Sequence, residues 1–272
     1  MRRIIAFISL LLLAPAPAVA QAYSSFSRFN PAAEYVTAGQ DEPGYRAWYA
    51  AVPWRPTYVR AFHNYLVSNG VGGVAPTWQL LRTATDWRRC GADPFEVPPT
   101  SEWANIVATL RYIGDYVVPR IGAVEPVSVY RNPALNVCAG GAQTSTHREM
   151  GAVDVVPLRP ITREGLMVEL CSIHAASPHT NTGLGFYKGL RFHIDARKYR
   201  EWGTAGALGG YGCAAVLAEG ALPFGRSPAR AVVAPPVAFT RVVAAPVPAA
   251  PALAPNATAT RDPTDPLAPT DQ

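Results

Sequence analysis

The chain has 272 residues, 49% of them hydrophobic and 16% charged, with 24 basic and 19 acidic side chains and a formal net charge of +5. It contains no run of lysines or arginines and no basic helix face, which argues against nucleic acid as a partner. Four cysteines and 27 prolines complete a composition that fits an exported chain with disulfides better than a thiol-rich cytosolic one.

In chain order, Met1–Ala20 has a basic start (Arg2, Arg3), an apolar core and a small-residue end at Ala18-Val19-Ala20. That is the pattern of a secretory leader cut before Gln21; an uncleaved anchor is the alternative, although the apolar run is short for a span. Without the two leader arginines, 22 basic and 19 acidic side chains remain, a net charge of +3. Residues 21–43 read as a loosely structured lead-in, residues 44–221 as one domain, and residues 222–272, rich in proline, alanine and valine, as a disordered tail.

Within the domain, helical spacing begins at Pro56, with Val59, Phe62 and Leu66 in one stripe and a stop at Gly70. A second helix is expected over 75–89, opened by Pro76-Thr77. A third is expected over 101–122, capped by Ser101, with Trp103, Ile106, Leu110, Ile113 and Val117 as its buried stripe and Pro119 and Gly122 at its end. Trp78, Trp87 and Trp103 are expected to join this helical part to the C-terminal half of the domain. Short strands then appear at Val127–Tyr130 and Ala152–Val156. A helix over 161–177 has a partial capping box at Thr162, where Gly165 replaces the preferred glutamate, and a hairpin over 183–197 turns at Lys188-Gly189. Helices first and short strands later indicate an α+β fold.

The cysteines are Cys90, Cys138, Cys171 and Cys213. They permit three pairings, and free buried thiols remain an alternative; no CxxC spacing points to a cysteine zinc cluster.

The chemistry concentrates around "STHREMGAVDVVP", residues 145–157. Its end is a strand with an acid, Asp154, in the middle of an apolar run, and a buried carboxylate requires a partner. Further on, Arg191 to Arg197 alternates strictly, so Arg191, His193, Asp195 and Arg197 share one strand face. That face could simply meet water, and Asp154 could form a buried ion pair with Arg131 or Arg191 at a cost in desolvation. Alternatively, His147, Asp154 and His193 form a zinc ligand set of two imidazoles and a carboxylate, and three protein ligands with an open fourth position is the catalytic arrangement.

The runs Val127–Pro157 and Gly183–Arg197 resemble the C-terminal domain of the zinc D-alanyl-D-alanine carboxypeptidases, relatives of the VanX dipeptidases and of the hedgehog fold. The resemblance rests on Tyr130-Arg131-Asn132-Pro133, on Ser145, His147, Ala152 and Asp154, and on Gly183-Leu184-Gly185-Phe186-Tyr187 with His193-Ile194-Asp195. It covers about residues 124–199. It implies a helical N-terminal part packed on a small, mostly antiparallel sheet, with one Zn2+ held by His147, Asp154 and His193. Arg131 is then the residue steadying a developing oxyanion, and Ser145 a substrate-positioning residue.

Two departures accompany the match. Met150 stands where the family has glycine, with Gly151 one place late. The positions that carry the general base in different branches are Leu190 and Arg191, neither of which takes a proton at neutral pH. Asp195 is the nearest replacement, with Glu149 behind it, although Asp195 could instead orient His193 or pair with Arg197. The remaining histidines receive no special role: His174 and His179 are expected solvated at a helix end, and His63 partly buried. The implied function is an exported zinc metallopeptidase of the periplasm or cell envelope, acting on peptidoglycan stem peptides at or near D-alanine, without stable membrane insertion once the leader is removed. The rivals are a zinc-holding wall-peptide-binding protein and a purely structural envelope protein.

Overall fold

In the computed structural model, which describes residues 29–203 and 212–220, the chain enters through a 3-10 turn at Pro31–Glu34. This turn seats Ala32, with Tyr35 and Val36, against Val127 and Val156 of the sheet. The lead-in is therefore an ordered part of the fold from residue 29 onward, whereas the leader (1–20) and the proline-rich tail (222–272) lie outside the described residues.

Helix α1 (Glu42–Ala51) starts where Asp41 Oδ1 accepts from Gly44 N at 2.9 Å and Pro43 occupies the first turn. Its pattern is faint because only Trp48 is buried. Helix α2 (Arg55–Ser68) buries Val59, Phe62 and Leu66 and stops before Gly70, whose φ of +73° suits a glycine.

The helix expected over 75–89 is replaced by a single 3-10 turn, Gln79–Leu81, followed by extended backbone at 82–84 and turns over 85–91. Thr83 N donates to Pro94 O, Glu96 N to Leu81 O and Val129 N to Arg82 O. Arg82 explains the departure. Its buried guanidinium donates to Glu125 Oε1 and Pro126 O at 2.7 Å and to Gln40 O at 2.9 Å, and these bonds tie the segment to the sheet and to the N-terminal turn.

The long helical stretch consists of α3 (Trp103–Tyr112), a π-helical turn over Ile113–Val117 and α4 (Val118–Ile121), ending at Gly122 with φ +83°. The expected stripe from Trp103 to Val117 is buried. Ser101 is not its cap; it lies in a preceding 3-10 turn that has no side-chain cap bond. Pro119 falls inside the run, where its missing N–H coincides with the widened turn before it.

After this come β1 (Val124–Ser128), α5 (Pro133–Cys138), β2 (Ala152–Pro157), α6 (Arg163–Ala176), β3 (Gly183–Phe186), β4 (Phe192–Asp195), β5 (Arg200–Gly203) and α7 (Cys213–Gly220). Thr162 Oγ1 caps α6 by accepting from Gly165 N at 3.1 Å, and Gly189 (φ +64°) turns β3 into β4. The five-stranded sheet runs β1-β2-β4-β3-β5, antiparallel except for the β3–β5 pair. The architecture is thus α+β with a mixed sheet. Val153, Val155, Leu184, Phe186, Phe192 and Ile194 join the helices' core on one sheet face, and by period-two alternation the residues between them face the other way. Disulfides link Cys90 to Cys138 and Cys171 to Cys213, so the first fastens the 83–97 segment to the end of α5 and the second fastens α6 to α7.

Candidate metal centre

Two rows of residues cross the second face of the sheet. In the first, register aligns Ser128 with Asp154, Asp154 with His193, His193 with Gly185, and Gly185 with Trp202. In the second it aligns Ala152, Asp195, Gly183 and Arg200. Each glycine makes room for the residue beyond it. A Cβ on Gly185 would stand 2.3 Å from the Trp202 indole, and one on Gly183 would stand 2.4 Å from Asp195 Oδ2. With those positions bare, Trp202 reaches a centroid distance of 5.2 Å from His193, and Arg200 Nη2 donates to Asp195 Oδ2 at 2.7 Å.

His147 comes from outside the sheet, on the 3-10 turn Thr146–Glu149 that leads into β2. Met150 closes this turn in the left-handed region (φ +53°) with its side chain fully buried. The position where the resembling family carries glycine therefore has a left-handed backbone here while bearing a core side chain.

The three side chains meet at one point. His147 Nδ1 donates to Val129 O at 2.6 Å, which leaves Nε2 as a bare acceptor. His193 Nε2 donates to Asp195 Oδ2 at 2.9 Å, which frees Nδ1 in the same way. His147 Nε2 then lies 3.2 Å from Asp154 Oδ1 and 3.2 Å from His193 Nδ1, and the third edge, His193 Nδ1 to Asp154 Oδ1, is 3.0 Å. Three acceptors this close repel unless a cation or proton lies among them. Tetrahedral zinc with bonds of about 2.0–2.1 Å sets its ligands about 3.3 Å apart, so the donor set and its spacing fit a divalent ion. The carbonyl behind His147 and the carboxylate behind His193 are the outer partners that fix imidazole ligands. A second cluster, His174, Glu201 and Cys213, is no rival, because the Cys213 sulfur is bonded to Cys171.

Asp154 is wholly buried and divides its oxygens. Oδ2 accepts from Arg131 Nη2 at 2.6 Å, while Oδ1 faces the imidazoles and accepts from the Tyr187 hydroxyl at 3.2 Å. Burial alone would raise its pKa, but the His147 and Arg131 charges reverse that and hold the carboxyl well below the usual carboxylate range. Burial, reinforced by the Arg131 charge, lowers His147 to about 4. Burial also pulls on His193, but hydrogen bonds to Asp154 and Asp195 outweigh it and its pKa is raised. Burial and then the Asp154 charge push Tyr187 upward, so its hydroxyl stays a donor.

A cleft of about 500 Å3 opens over this point and is bordered by Arg131, Ser145, His147, Tyr187, His193 and Trp202, among others. Arg131 keeps its pair to Asp154 on the cleft wall and is braced by Nε donating to Ser128 Oγ at 2.9 Å. Ser145 lines the cleft at the start of the 3-10 turn.

Of the roles open to Asp195, the geometry favours orienting His193 over acting as a base. It lies behind His193, on the nitrogen that faces away from the ligand point, and its oxygens are taken up by His193, Arg200 and the Arg197 N–H. Burial raises its pKa, but the His193 bond and its other partners outweigh that and lower it. Glu149 points away too, in an exposed pair with Arg197 at 2.7 Å. Arg191 does not pair with Asp154; it lies over aromatic rings.

Two further histidines differ from expectation. His174 is buried, bonded to Thr182 O at 2.9 Å and stacked on Tyr199, and His63 is exposed, 2.8 Å from Thr77 Oγ1. Trp87 is half-buried outside the core and donates to Thr37 Oγ1, while Trp103 is buried and Trp78 packs on the core. Tyr187 and Trp202 are site residues to which the sequence reading gives no role. Tyr187 sits inside the "GLGFY" run but carries no titratable signal near neutrality, and Trp202 reaches the site only through the parallel β3–β5 pairing.

Compared with protein-family models, with curated proteins and with solved structures, the chain matches none.

Proposed function

We propose that this chain is an exported zinc-dependent peptidase that hydrolyses peptidoglycan stem peptides at or near D-alanine. The observation that carries the reading is the convergence of His147 Nε2, Asp154 Oδ1 and His193 Nδ1, at 3.0–3.2 Å from one another, at the floor of an open cleft. When bound there, zinc would supply Lewis acidity, polarising a scissile carbonyl and making water acidic near neutral pH. The chain's own residues supply the rest. Arg131, fixed through Nε and Nη2, borders the cleft beside the triad, where its charge favours a developing oxyanion. Tyr187 holds a proton at its hydroxyl on the same side and stands ready to donate to that oxygen or to a leaving group. Ser145 and Trp202 shape the wall against which the peptide lies. The stem-peptide substrate class is supported by the resemblance of the Arg131, Ser145, His147 and His193 motifs, and export by the leader-like start and the two disulfides.

A digest of purified stem peptides, read by mass, tests the reading. Cleavage that chelator abolishes, that zinc restores and that His147→Ala lacks supports it; intact peptides after long incubation with the zinc-loaded chain would defeat it.

One observation favours a second reading, a zinc-holding protein that binds wall peptides without turnover. Beyond the ligands, the one carboxylate among the described residues lining the cleft is Asp86, already paired with Arg89 at 3.1 Å. If Asp86 is the proton acceptor, Asp86→Asn lowers turnover about 100-fold or more with peptide binding intact. Peptide binding without any turnover in the unaltered chain favours the second reading.

A further inference from the structure

Three arginines line the cleft, and two of them are neutralised. Arg131 is paired with Asp154, and Arg200 with Asp195. Arg191 has no carboxylate within ion-pair distance among the described residues. Its guanidinium carbon instead lies 3.8 Å from the centre of the Tyr187 ring and 4.8 Å from that of Tyr35. Its Nε is buried and has no hydrogen-bond partner among the described residues. Each ring attracts the cation and fixes the plane of the guanidinium, but neither uses its N–H groups. The terminal Nη groups, on a side chain that lines the cleft, make no hydrogen bond among the described residues, and a partly desolvated, pre-oriented guanidinium with such unused donors is what a bidentate carboxylate site requires. Tyr35 arrives from the N-terminal turn and is pinned by its hydroxyl donating to Lys188 O at 2.9 Å, so a separate segment of chain supports this one side chain.

Arg191 stands two residues before His193 along the same run, a rise of about 7 Å. Two residues of extended peptide cover about the same distance. Tyr187 bridges the two in space, with Arg191 3.8 Å from its ring centre and its hydroxyl 3.2 Å from Asp154 Oδ1, so a peptide whose carboxylate rests on Arg191 has a bond within about two residues of that carboxylate beside the triad.

We propose that Arg191 is the carboxylate-recognising residue of this cleft, and that the substrate is a peptide bearing a free carboxylate within two residues of the bond that is cut. The proposal rests on the peptidase reading and sharpens it, because it separates action at a free peptide end from action within a cross-linked strand. The carboxylate could be the terminal one or one on a side chain, and the test distinguishes them.

The zinc-loaded full chain is given three peptides: N-acetyl-L-lysyl-D-alanyl-D-alanine, its C-terminal amide, and an amide of the same length with a side-chain carboxylate beside the scissile bond. KM and kcat are measured for the unaltered chain, Arg191→Gln, Arg191→Lys and Tyr35→Leu, with bound zinc counted in each. The expected result is a KM at least about 10-fold lower for a carboxylate-bearing peptide than for the plain amide. Which acid is preferred assigns the source. Arg191→Gln removes the discrimination, Arg191→Lys keeps part of it, and Tyr35→Leu weakens it, with one zinc per chain throughout. Equal use of acid and amide by the unaltered chain, or a preference that survives Arg191→Gln, overturns this proposal and leaves the peptidase reading standing. If none of the three peptides is bound or cut, the peptidase reading falls and this proposal falls with it.

Discussion

Arg131 and Asp154 form a pair that satisfies only half of the carboxylate. Nη2 of the arginine takes Oδ2 at 2.6 Å, and Oδ1 is turned toward His147 and His193. The buried acid is therefore charged and held in place, yet one lone-pair face stays available to an ion. Replacing Arg131 with methionine should leave Asp154 with an uncompensated buried charge and destabilise the metal-free fold by about 3–5 kcal/mol. Added zinc should recover part of this, since a ligand that binds only the folded state stabilises it. Urea unfolding of both forms with and without zinc measures the effect; an unchanged midpoint in the metal-free variant would contradict this account of the pair.

Metal uptake should displace a proton. The raised pKa of His193 means that Nδ1 holds a proton below that pKa, in the place where the ion must bind. His147, lowered to about 4, is already neutral at about pH 6. Zinc affinity should therefore climb with pH until the His193 pKa is passed and then level off, with about one proton released per ion on the acidic side. Calorimetry in two buffers of different ionisation enthalpy counts that proton. Affinity that is flat from about pH 6 to about pH 8 would show that His193 Nδ1 carries none.

Asp195→Asn separates an orienting role from a basic one. If Asp195 only fixes the His193 ring, the change should weaken zinc binding about 10- to 100-fold, with turnover at saturating zinc largely kept. A turnover loss that excess zinc cannot repair would return Asp195 to the reacting atoms.

Gly185→Ala places a methyl group where the Trp202 indole lies. Forced overpacking of this kind costs about 1–3 kcal/mol, and here the indole must leave the His193 ring. Tryptophan fluorescence should shift and KM should rise. Zinc content should hold, because the three ligands lie on other residues.

The cluster of His147, Asp154 and His193 was legible because its pieces carry local signals. An acid stands inside the apolar run 152–156, and strict alternation over 191–197 puts His193 and Asp195 on one face. The helices with full stripes, at 55–68 and 103–121, were legible for the same reason. Elsewhere long-range contacts overrode the local pattern. The run opened by Pro76-Thr77 suggested a helix, but the buried Arg82 guanidinium required acceptors on three distant residues. β5 is an exposed edge strand with no alternation, so neither Trp202 nor Arg200 could be assigned to the site. Asp195 resembled a base by proximity to His193; only the ring's orientation shows which nitrogen it serves.

The row from Ser128 to Trp202 ties Asp154 and His193 to strand pairing itself. A slip of β4 by one place against β2 would swing Phe192 and Ile194 into the positions of His193 and Asp195 and turn both polar side chains toward the helices. Such a molecule can stay collapsed, but it cannot hold the ion. Metal stoichiometry would then count the molecules whose central strands have found their proper alignment, and zinc present during refolding would favour that alignment over its neighbours.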